Sequence, residues 1–158
     1  MRILIAAVGR VRDAALRELY GEYVGRLAAG GRERWRIELV EVEEPRKLPP
    51  AELVAREAAL LMKAMPKGAR IVALDARGKA LSSEDFAVRL GRWRDDGTVR
   101  LAFAIGGSHG LDPTVIHSAD LVLSLGAMTW PHQLVRAMLV EQIYRAKSIL
   151  EGHPYHRA

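Results

Sequence analysis

Three short segments, two of them containing glycine or proline, lie at the ends of apolar runs and could together form a ligand pocket. They are residues 74–75, 106–110 and 126–131. Glycine allows backbone conformations that other residues avoid, so such loops can bring backbone amides close to a ligand. If the preceding runs are parallel strands, the loops leave one edge of the sheet, where α/β proteins bind small molecules. The pattern predicts a pocket at that edge; the alternative is that these segments are only turns.

The sequence lacks the common signatures of phosphate and metal sites. The segment IGGSHG at 105–110 does not have GxGxxG spacing, and neither GxxxxGK[ST] nor HExxH occurs. Cysteine is absent, and the two tail histidines, His153 and His156, are too few for a typical metal site, so we expect no metal. Backbone amides and apolar walls suit a cofactor without phosphates, such as S-adenosylmethionine, whose reaction needs mainly in-line positioning of the nucleophile.

The elements that must position these loops alternate along the chain. Apolar or alternating runs predict strands at 2–8, 35–42, 70–74, 99–105 and 120–125. Helices are predicted from a cap at Asp13 to about residue 27, at 51–65, at 82–93, briefly after 112, and after 131. This order indicates an α/β fold with a parallel sheet covered on both faces. Without a repeat or a linker, we expect a single domain over residues 1–158.

Composition narrows the class of partner. The chain has a net charge of +5 and a pI of about 9.9, which favours a polyanion, nucleic acid above all. No apolar run approaches the roughly 20 residues that span a bilayer, so we expect no membrane association. The first residues make too short an apolar run for a secretion signal, and we expect a cytoplasmic protein.

Several motifs make the chain similar to the ribosomal large-subunit methyltransferase H family of SPOUT-class enzymes. They are IGGSHG (105–110), LSLGAMTWPHQLVR (123–136), EQIYRA (141–146) and HPYHR (153–157), with AVGR (7–10) and LDARGK (74–79) in support. The resemblance covers essentially the whole chain. One departure is His109, where members of the family usually carry a glutamate or an aromatic residue.

The resemblance implies both a fold and an activity. The implied activity is S-adenosyl-L-methionine-dependent methylation of N3 of pseudouridine 1915 in 23S rRNA, with the 70S ribosome as substrate. The implied fold is a parallel-sheet sandwich with a C-terminal trefoil knot, and the implied assembly is a homodimer in which one subunit's tail completes the other's site. Two alternatives stay open: a SPOUT enzyme that acts on tRNA, and a knotted RNA-binding protein without catalysis.

The resemblance also carries over cofactor-binding residues. The implied set comprises Leu74, Gly107, Gly126, Ala127, Met128, Thr129, Trp130 and Pro131. Of these, we interpret Trp130 as a wall of the cofactor pocket rather than a platform for a base.

A second group of residues would act on the RNA. N3 of pseudouridine must lose a proton, and histidine is the side chain best suited to accept it near neutral pH. His156 is the first candidate and His132 the second, although His132 could instead bond to backbone at a helix start. Tyr155 could stack on a flipped base or anchor the tail. Arg157 would meet a phosphate or the base carbonyl, unless it is only a solvated terminal charge.

Two residues of the last helix complete the implied site. We interpret Arg136 as facing RNA, and Glu141 as orienting the neighbouring tail or the charged end of the cofactor. The same helix carries Val135, Leu139 and Val140 in addition to its main apolar stripe. We take this excess of apolar residues as evidence that a partner subunit covers part of the helix.

Overall fold

The computed structural model describes residues 1–29, 31, 34–43, 45 and 47–156. Its elements are, in chain order, β1 (Arg2–Val8), α1 (Ala14–Ala28), β2 (Arg36–Val42), α2 (Pro50–Ala64), β3 (Arg70–Ala80), α3 (Ser83–Asp95), β4 (Arg100–Ile105), α4 (Pro113–Ser118), β5 (Leu121–Ser124) and α5 (His132–Glu151). Every predicted strand and helix is present, and only the end of β3 departs from its predicted limit by more than two residues. Asp13, Ser82 and Asp112 cap helices with side-chain oxygens, as their positions in the sequence indicate.

The five strands pair in the order β2-β1-β4-β3-β5, and all four pairings are parallel. This confirms the predicted parallel sheet. It also confirms that the strands leading into the three segments are neighbours, since β3 lies between β4 and β5. Their carboxyl ends therefore reach the same edge of the sheet side by side, here called the carboxyl edge.

Two clusters of buried side chains lie on opposite faces of the sheet. Ile3 and Ile5 of β1 pack in a cluster with residues of α1, α3 and α5. Leu4 and Ala6, which alternate with them along the strand, pack in a second cluster with residues of α2 and α4. Because both faces of the strand are covered, its sequence is a continuous apolar run rather than an alternating one. No helix in the described part of the chain is both long and apolar enough to cross a membrane.

The strand β3 does not end at Leu74, as the apolar run suggests, but continues to Ala80. Its register against β5 shifts between Leu74 and Lys79, so residues 75–78 leave the ladder and the chain then pairs again. Gly78 makes this possible: a Cβ added there would lie 2.7 Å from the backbone carbonyl atoms of Val122. Bulges of this kind turn residues out of a sheet, and here they are residues of the carboxyl edge.

The apolar residues of α5 are covered by the chain itself. Leu139 and Val140 are fully buried, and Val135 packs partly buried against the same cluster, which includes residues of α1 and α3. The inference that these residues require a partner subunit is therefore wrong. The helix lies against two others rather than one, which is why its apolar surface is wider than a single stripe.

Replacing Gly78 with alanine should destabilise the protein by about 1–3 kcal/mol, because β5 must move away from the added methyl group. Gly21 provides the control, since it lies in α1 with nothing within 4 Å of an added Cβ. Gly21→Ala should stabilise the protein by up to about 1 kcal/mol through the higher helix propensity of alanine. Urea unfolding of both variants measures the difference; equal effects would contradict the proposed close approach.

Candidate functional site

A pocket of about 740 Å³ lies at the carboxyl edge of the sheet. It is formed by the ends of β3, β4 and β5, the loops that follow them, and the first turn of α5. Its lining residues are Leu74, Asp75, Ala76, Arg77, Ile105, Gly106, Gly107, Ser108, His109, Gly110, Leu123, Leu125, Gly126, Met128, Thr129, Trp130, Pro131, His132 and Val135. Its size is within the range usual for cofactor sites, and its walls are largely apolar.

The pocket brings together residues that are far apart in the sequence. Seven of the eight residues assigned to the cofactor line it, namely Leu74, Gly107, Gly126, Met128, Thr129, Trp130 and Pro131; Ala127 is exposed and is not among the lining residues. His132 also lines the pocket, from the start of α5. Gly126 has φ of +118°, a backbone conformation that favours glycine and turns the chain from β5 into the pocket wall.

The glycine loop after β4 is folded tightly on itself. Gly107 and Gly110 form an antiparallel bridge, in which the Gly110 amide donates to the Gly107 carbonyl at 3.1 Å. A Cβ on Gly106 would meet the Gly110 carbonyl oxygen at 2.5 Å. Within the loop, the hydroxyl of Ser108 lies 3.1 Å from Nδ1 of His109. Small residues are therefore required for the loop to close and to expose its backbone to the pocket.

A buried carboxylate supports this loop, and the sequence reasoning missed it. Glu57 of α2 is only 2% exposed, and its Oε1 would lie 2.8 Å from a Cβ on Gly107. The available signal was its position, since Glu57 is one residue before Ala58 and four before Leu61, on the buried side of α2. A charged residue on an apolar helix face indicates a specific role, because burying a carboxylate is costly.

An ion pair on the bulge of β3 forms one side of the pocket. Arg77 donates from Nε to Oδ1 of Asp75 at 2.9 Å and from Nη2 to Oδ2 at 3.0 Å. These hydrogen bonds lower the pKa of Asp75, whose side chain is only 8% exposed. The pocket therefore contains an ionised carboxylate whose partner, Arg77, is largely exposed.

The C-terminal tail is held against its own chain. The hydroxyl of Tyr155 lies 3.0 Å from Oε1 of Glu141 and 3.2 Å from the hydroxyl of Tyr23. Its ring meets that of Tyr144 edge-on, with centroids 4.7 Å apart, and the guanidinium of Arg145 lies 4.9 Å from the ring centre. Burial and the hydrogen bonds to Tyr23 and Glu141 raise the pKa of Tyr155, so the phenol stays protonated. Of the two roles considered, these contacts favour an anchor for the tail.

His156 is oriented by two charged groups. Its Nε2 lies 2.8 Å from Oε1 of Glu84, and its Nδ1 lies 3.4 Å from Nη1 of Arg145. In the neutral tautomer whose Nε2 proton Glu84 accepts, Nδ1 is the acceptor nitrogen and faces the guanidinium of Arg145. The same Arg145 bonds to Glu141 through Nε at 3.0 Å, so Glu141 organises both Tyr155 and the cation beside His156.

The tail and the pocket are separate within one chain. Neither Tyr155 nor His156 is among the described residues that line the pocket, whereas His132 is. Arg157 lies outside the described residues. Within one chain, Glu141 orients the tail through its hydrogen bond to Tyr155. The described residues include no group of three or more acidic or histidine side chains that could hold a metal ion.

Arg136 does not face RNA, and that interpretation is wrong. Its side chain is only 1% exposed, and Nη1 lies 2.6 Å from Oε1 of Glu41. Its Nη2 donates to the carbonyls of Val8 at 2.5 Å and Gly9 at 2.9 Å. The helix turn that carries Arg136 faces the sheet, so its guanidinium meets the carbonyl end of β1 rather than solvent.

Arg136→Met should lower the free energy of unfolding by about 3 kcal/mol, because it removes the cation that pairs with Glu41 and the donor that the carbonyls of Val8 and Gly9 share. Arg92, which is exposed on α3, is the matched control, and Arg92→Met should change stability by no more than about 0.5 kcal/mol. Chemical denaturation measures both. If the two variants were equally stable, Arg136 would not hold α5 to the sheet.

Comparison with known proteins gives the chain's family. It matches the family described as "Predicted SPOUT methyltransferase" over residues 1–156. It is 54% identical to ribosomal RNA large subunit methyltransferase H of Rhodospirillum centenum, with 100% of both chains covered. It is 51% identical to the protein of the same name from Paramagnetospirillum magneticum, with 99% of both chains covered.

Solved structures agree with this at the level of the fold. A probable rRNA-methyltransferase from Porphyromonas gingivalis superimposes with a TM-score of 0.52 at 17% identity, covering 94% of this chain and 69% of the other. A probable methylase family protein from Haemophilus influenzae gives 0.51 at 10% identity, covering 99% and 70%. From the match along nearly its whole length and from relatives above half identity, this chain belongs to the SPOUT methyltransferase family.

Proposed function

We propose that this protein methylates N3 of a pseudouridine in the RNA of the large ribosomal subunit, with S-adenosyl-L-methionine as methyl donor. The observation that carries the proposal is the pocket that the loops after β3, β4 and β5 build at one edge of the sheet. Its support is the high identity, over full length, to relatives named ribosomal RNA large subunit methyltransferase H. The choice of pseudouridine and of its N3 atom rests on the family resemblance carried by the glycine loop, the segment 123–136 and the tail motif HPYHR together.

The pocket fits the methyl donor in three respects. It has apolar walls for an adenine, at Leu74, Leu123 and Leu125 among others. Its glycine loop lines the pocket, and an added Cβ on Gly106 or Gly107 would collide with Gly110 or Glu57. Asp75, ionised and almost covered, can accept hydrogen bonds from hydroxyl or ammonium groups. When bound, the cofactor supplies an electrophilic methyl group, and the protein supplies position and a proton acceptor.

Methylation at N3 forms one N–C bond and removes one proton from the imino nitrogen. We assign the acceptance of that proton to Nδ1 of His156, since Glu84 holds the opposite nitrogen as a donor. Arg145 lies beside Nδ1 and would stabilise negative charge that develops on the base. His132 is the alternative acceptor, because it lines the pocket within the same chain.

A homodimer is part of this proposal because each chain separates its tail from its own pocket. A second copy that brings its tail to the pocket would join the two halves of the site, as the resemblance implies. The trefoil knot in the C-terminal half and a single domain over residues 1–158 belong to the same proposal. So does the 70S ribosome as the particle that is methylated, which would place the protein in the cytoplasm.

Purified protein should transfer a labelled methyl group from S-adenosyl-L-methionine to ribosomes that lack the modification. Mass spectrometry of the digested 23S rRNA should locate the label on N3 of one pseudouridine. Purified tRNA, offered under the same conditions, should stay unlabelled. Label on tRNA alone would favour the alternative SPOUT activity. Failure to bind the donor in calorimetry would favour an RNA-binding protein without catalysis.

Removing residues 155–158 should abolish methyl transfer while the dissociation constant for the donor changes less than about twofold, because the tail is not part of the donor pocket. Thr129→Arg should instead weaken donor binding, and methyl transfer should be lost as a consequence. Thr129 is exposed and lines the pocket, so an arginine there is tolerated by the fold but repels the cationic donor. Calorimetry and methyl-transfer assays measure the two properties separately.

Co-expression of these two variants tests whether the site is shared. A mixed dimer contains one intact site, built from the pocket of the truncated chain and the tail of the Thr129→Arg chain. Activity should therefore return in the co-expressed sample, although each variant alone is inactive. If the mixture stayed inactive while mixed dimers formed, each chain would use its own tail.

A further inference from the structure

Three arginines form a row at the edge of the sheet opposite the pocket. Strand pairing places Arg2 of β1 in register with Arg36 of β2 on one side and with Arg100 of β4 on the other. In-register residues of neighbouring strands lie on the same face, about 4.8 Å apart. All three residues are exposed, so three guanidinium groups leave the same face of the sheet together.

The arginine row lines a cleft of about 740 Å³ beneath the end of α2. Lys67, in the segment between α2 and β3, adds a fourth cation, and its carbonyl accepts a hydrogen bond of 3.1 Å from Nη1 of Arg100. Among the described residues that line the cleft, Glu38 is the sole carboxylate. The cleft therefore has a clear excess of positive charge, with apolar walls at Leu4 and nearby side chains.

The charges of the cleft are not balanced within the protein. In the part of the chain that the structure describes, the side chains of Arg2 and Arg36 make no hydrogen bond or ion pair. Like charges held side by side on neighbouring strands repel one another and destabilise the sheet. An anion that contacts several of them at once removes that repulsion. Arginine is particularly suited to phosphate, which its planar fork can bind through two hydrogen bonds.

We propose that this cleft binds the phosphodiester backbone of the RNA substrate. The inference rests on the proposed function, in which the substrate is a large RNA. The seven residues of β1 span roughly 20 Å, which separates the arginine row from the donor pocket. A single target nucleotide at the pocket cannot reach the arginine row, but an extended or folded RNA can. The cleft thus gives the protein a second RNA-binding surface, separate from the site of chemistry at the carboxyl edge.

The test uses the full-length protein and a fluorescently labelled rRNA fragment, without methyl donor. Each lost contact with a single-stranded phosphate reduces the slope of log Kobs against log salt by about 0.7. The double variant Arg2→Gln/Arg36→Gln should therefore reduce the slope by about 1.4. For methyl transfer to ribosomes, KM should rise while kcat and the donor dissociation constant stay unchanged, because the pocket lies at the other edge.

Two controls separate a defined site from general charge effects. Arg17→Gln/Arg92→Gln removes the same charge from exposed positions on α1 and α3, over the other face of the sheet, and should change the slope by less than half as much. Glu38→Gln removes the carboxylate of the cleft and should tighten RNA binding. Arg17→Gln/Arg92→Gln and Glu38→Gln replace exposed residues, so both controls are expected to fold, which thermal melting verifies.

The inference is overturned if the arginine variant and its charge-matched control have the same salt slope. It is also overturned if the arginine variant loses only its binding of inorganic phosphate, or only its binding to anionic lipid vesicles, while its affinity for RNA is unchanged. RNA binding is measured without methyl donor, so it does not depend on catalysis. If the wild-type protein had no methyltransferase activity but Arg2→Gln/Arg36→Gln still lowered RNA affinity, only the proposed function would be contradicted.

Discussion

The buried guanidinium of Arg136 joins the last helix to the end of β1, and the arrangement of the pocket depends on this contact. It binds Glu41 and the carbonyls of Val8 and Gly9 at distances of 2.5–2.9 Å. A buried cation without partners would cost several kcal/mol, so α5 can take this position only with β1 and β2 in place. The segment 126–131 leads directly into α5. Its end is therefore fixed by the same contact.

The same network also fixes the loop after β1. The amide of Val11 donates to Oε1 of Glu41 at 2.8 Å, and the amide of Arg12 donates to the side-chain oxygen of Gln133 at 3.2 Å. Burial raises the pKa of Tyr20, which lies near Arg136 and Glu41, and keeps its phenol neutral. The loop after β1 and the first turn of α5, which are far apart in the sequence, are thus joined through hydrogen bonds.

Patterns of apolar residues predicted most of the fold, because both faces of the sheet are buried and the strands are continuous apolar runs. Glycine and proline also located the pocket segments 106–110 and 126–131, since these residues mark departures from strand geometry. The end of β3 was not predictable from the same signals. Residues 75–80 have no apolar run, and the chain pairs with β5 again at Lys79 and Ala80 because Gly78 allows the backbone of Val122 to approach. That approach is a tertiary contact with no local signature.

The errors at the site have a common cause, which is that sequence patterns give the face of a helix but not its neighbours. Arg136 was interpreted as exposed because charged side chains are usually solvated, yet it lies where a helix meets the carbonyl end of a strand. Glu57 was passed over for the same reason. Leu139 and Val140 were assigned to a partner because α5 was assumed to pack against a single neighbour, whereas it lies between two helices.

The distribution of charge over the two edges of the sheet also follows from strand direction. All five strands are parallel, so their carboxyl ends collect the loops and their amino ends collect the first residues, and three of those first residues are arginines in register. An antiparallel sheet would have placed such residues at alternate edges, where they could not act together. In this member of a methyltransferase family, the apolar faces of the sheet are used for packing. The carboxyl edge is therefore available for a small molecule. The opposite edge can then supply attraction for a long polyanion, which needs many weak contacts rather than one deep pocket.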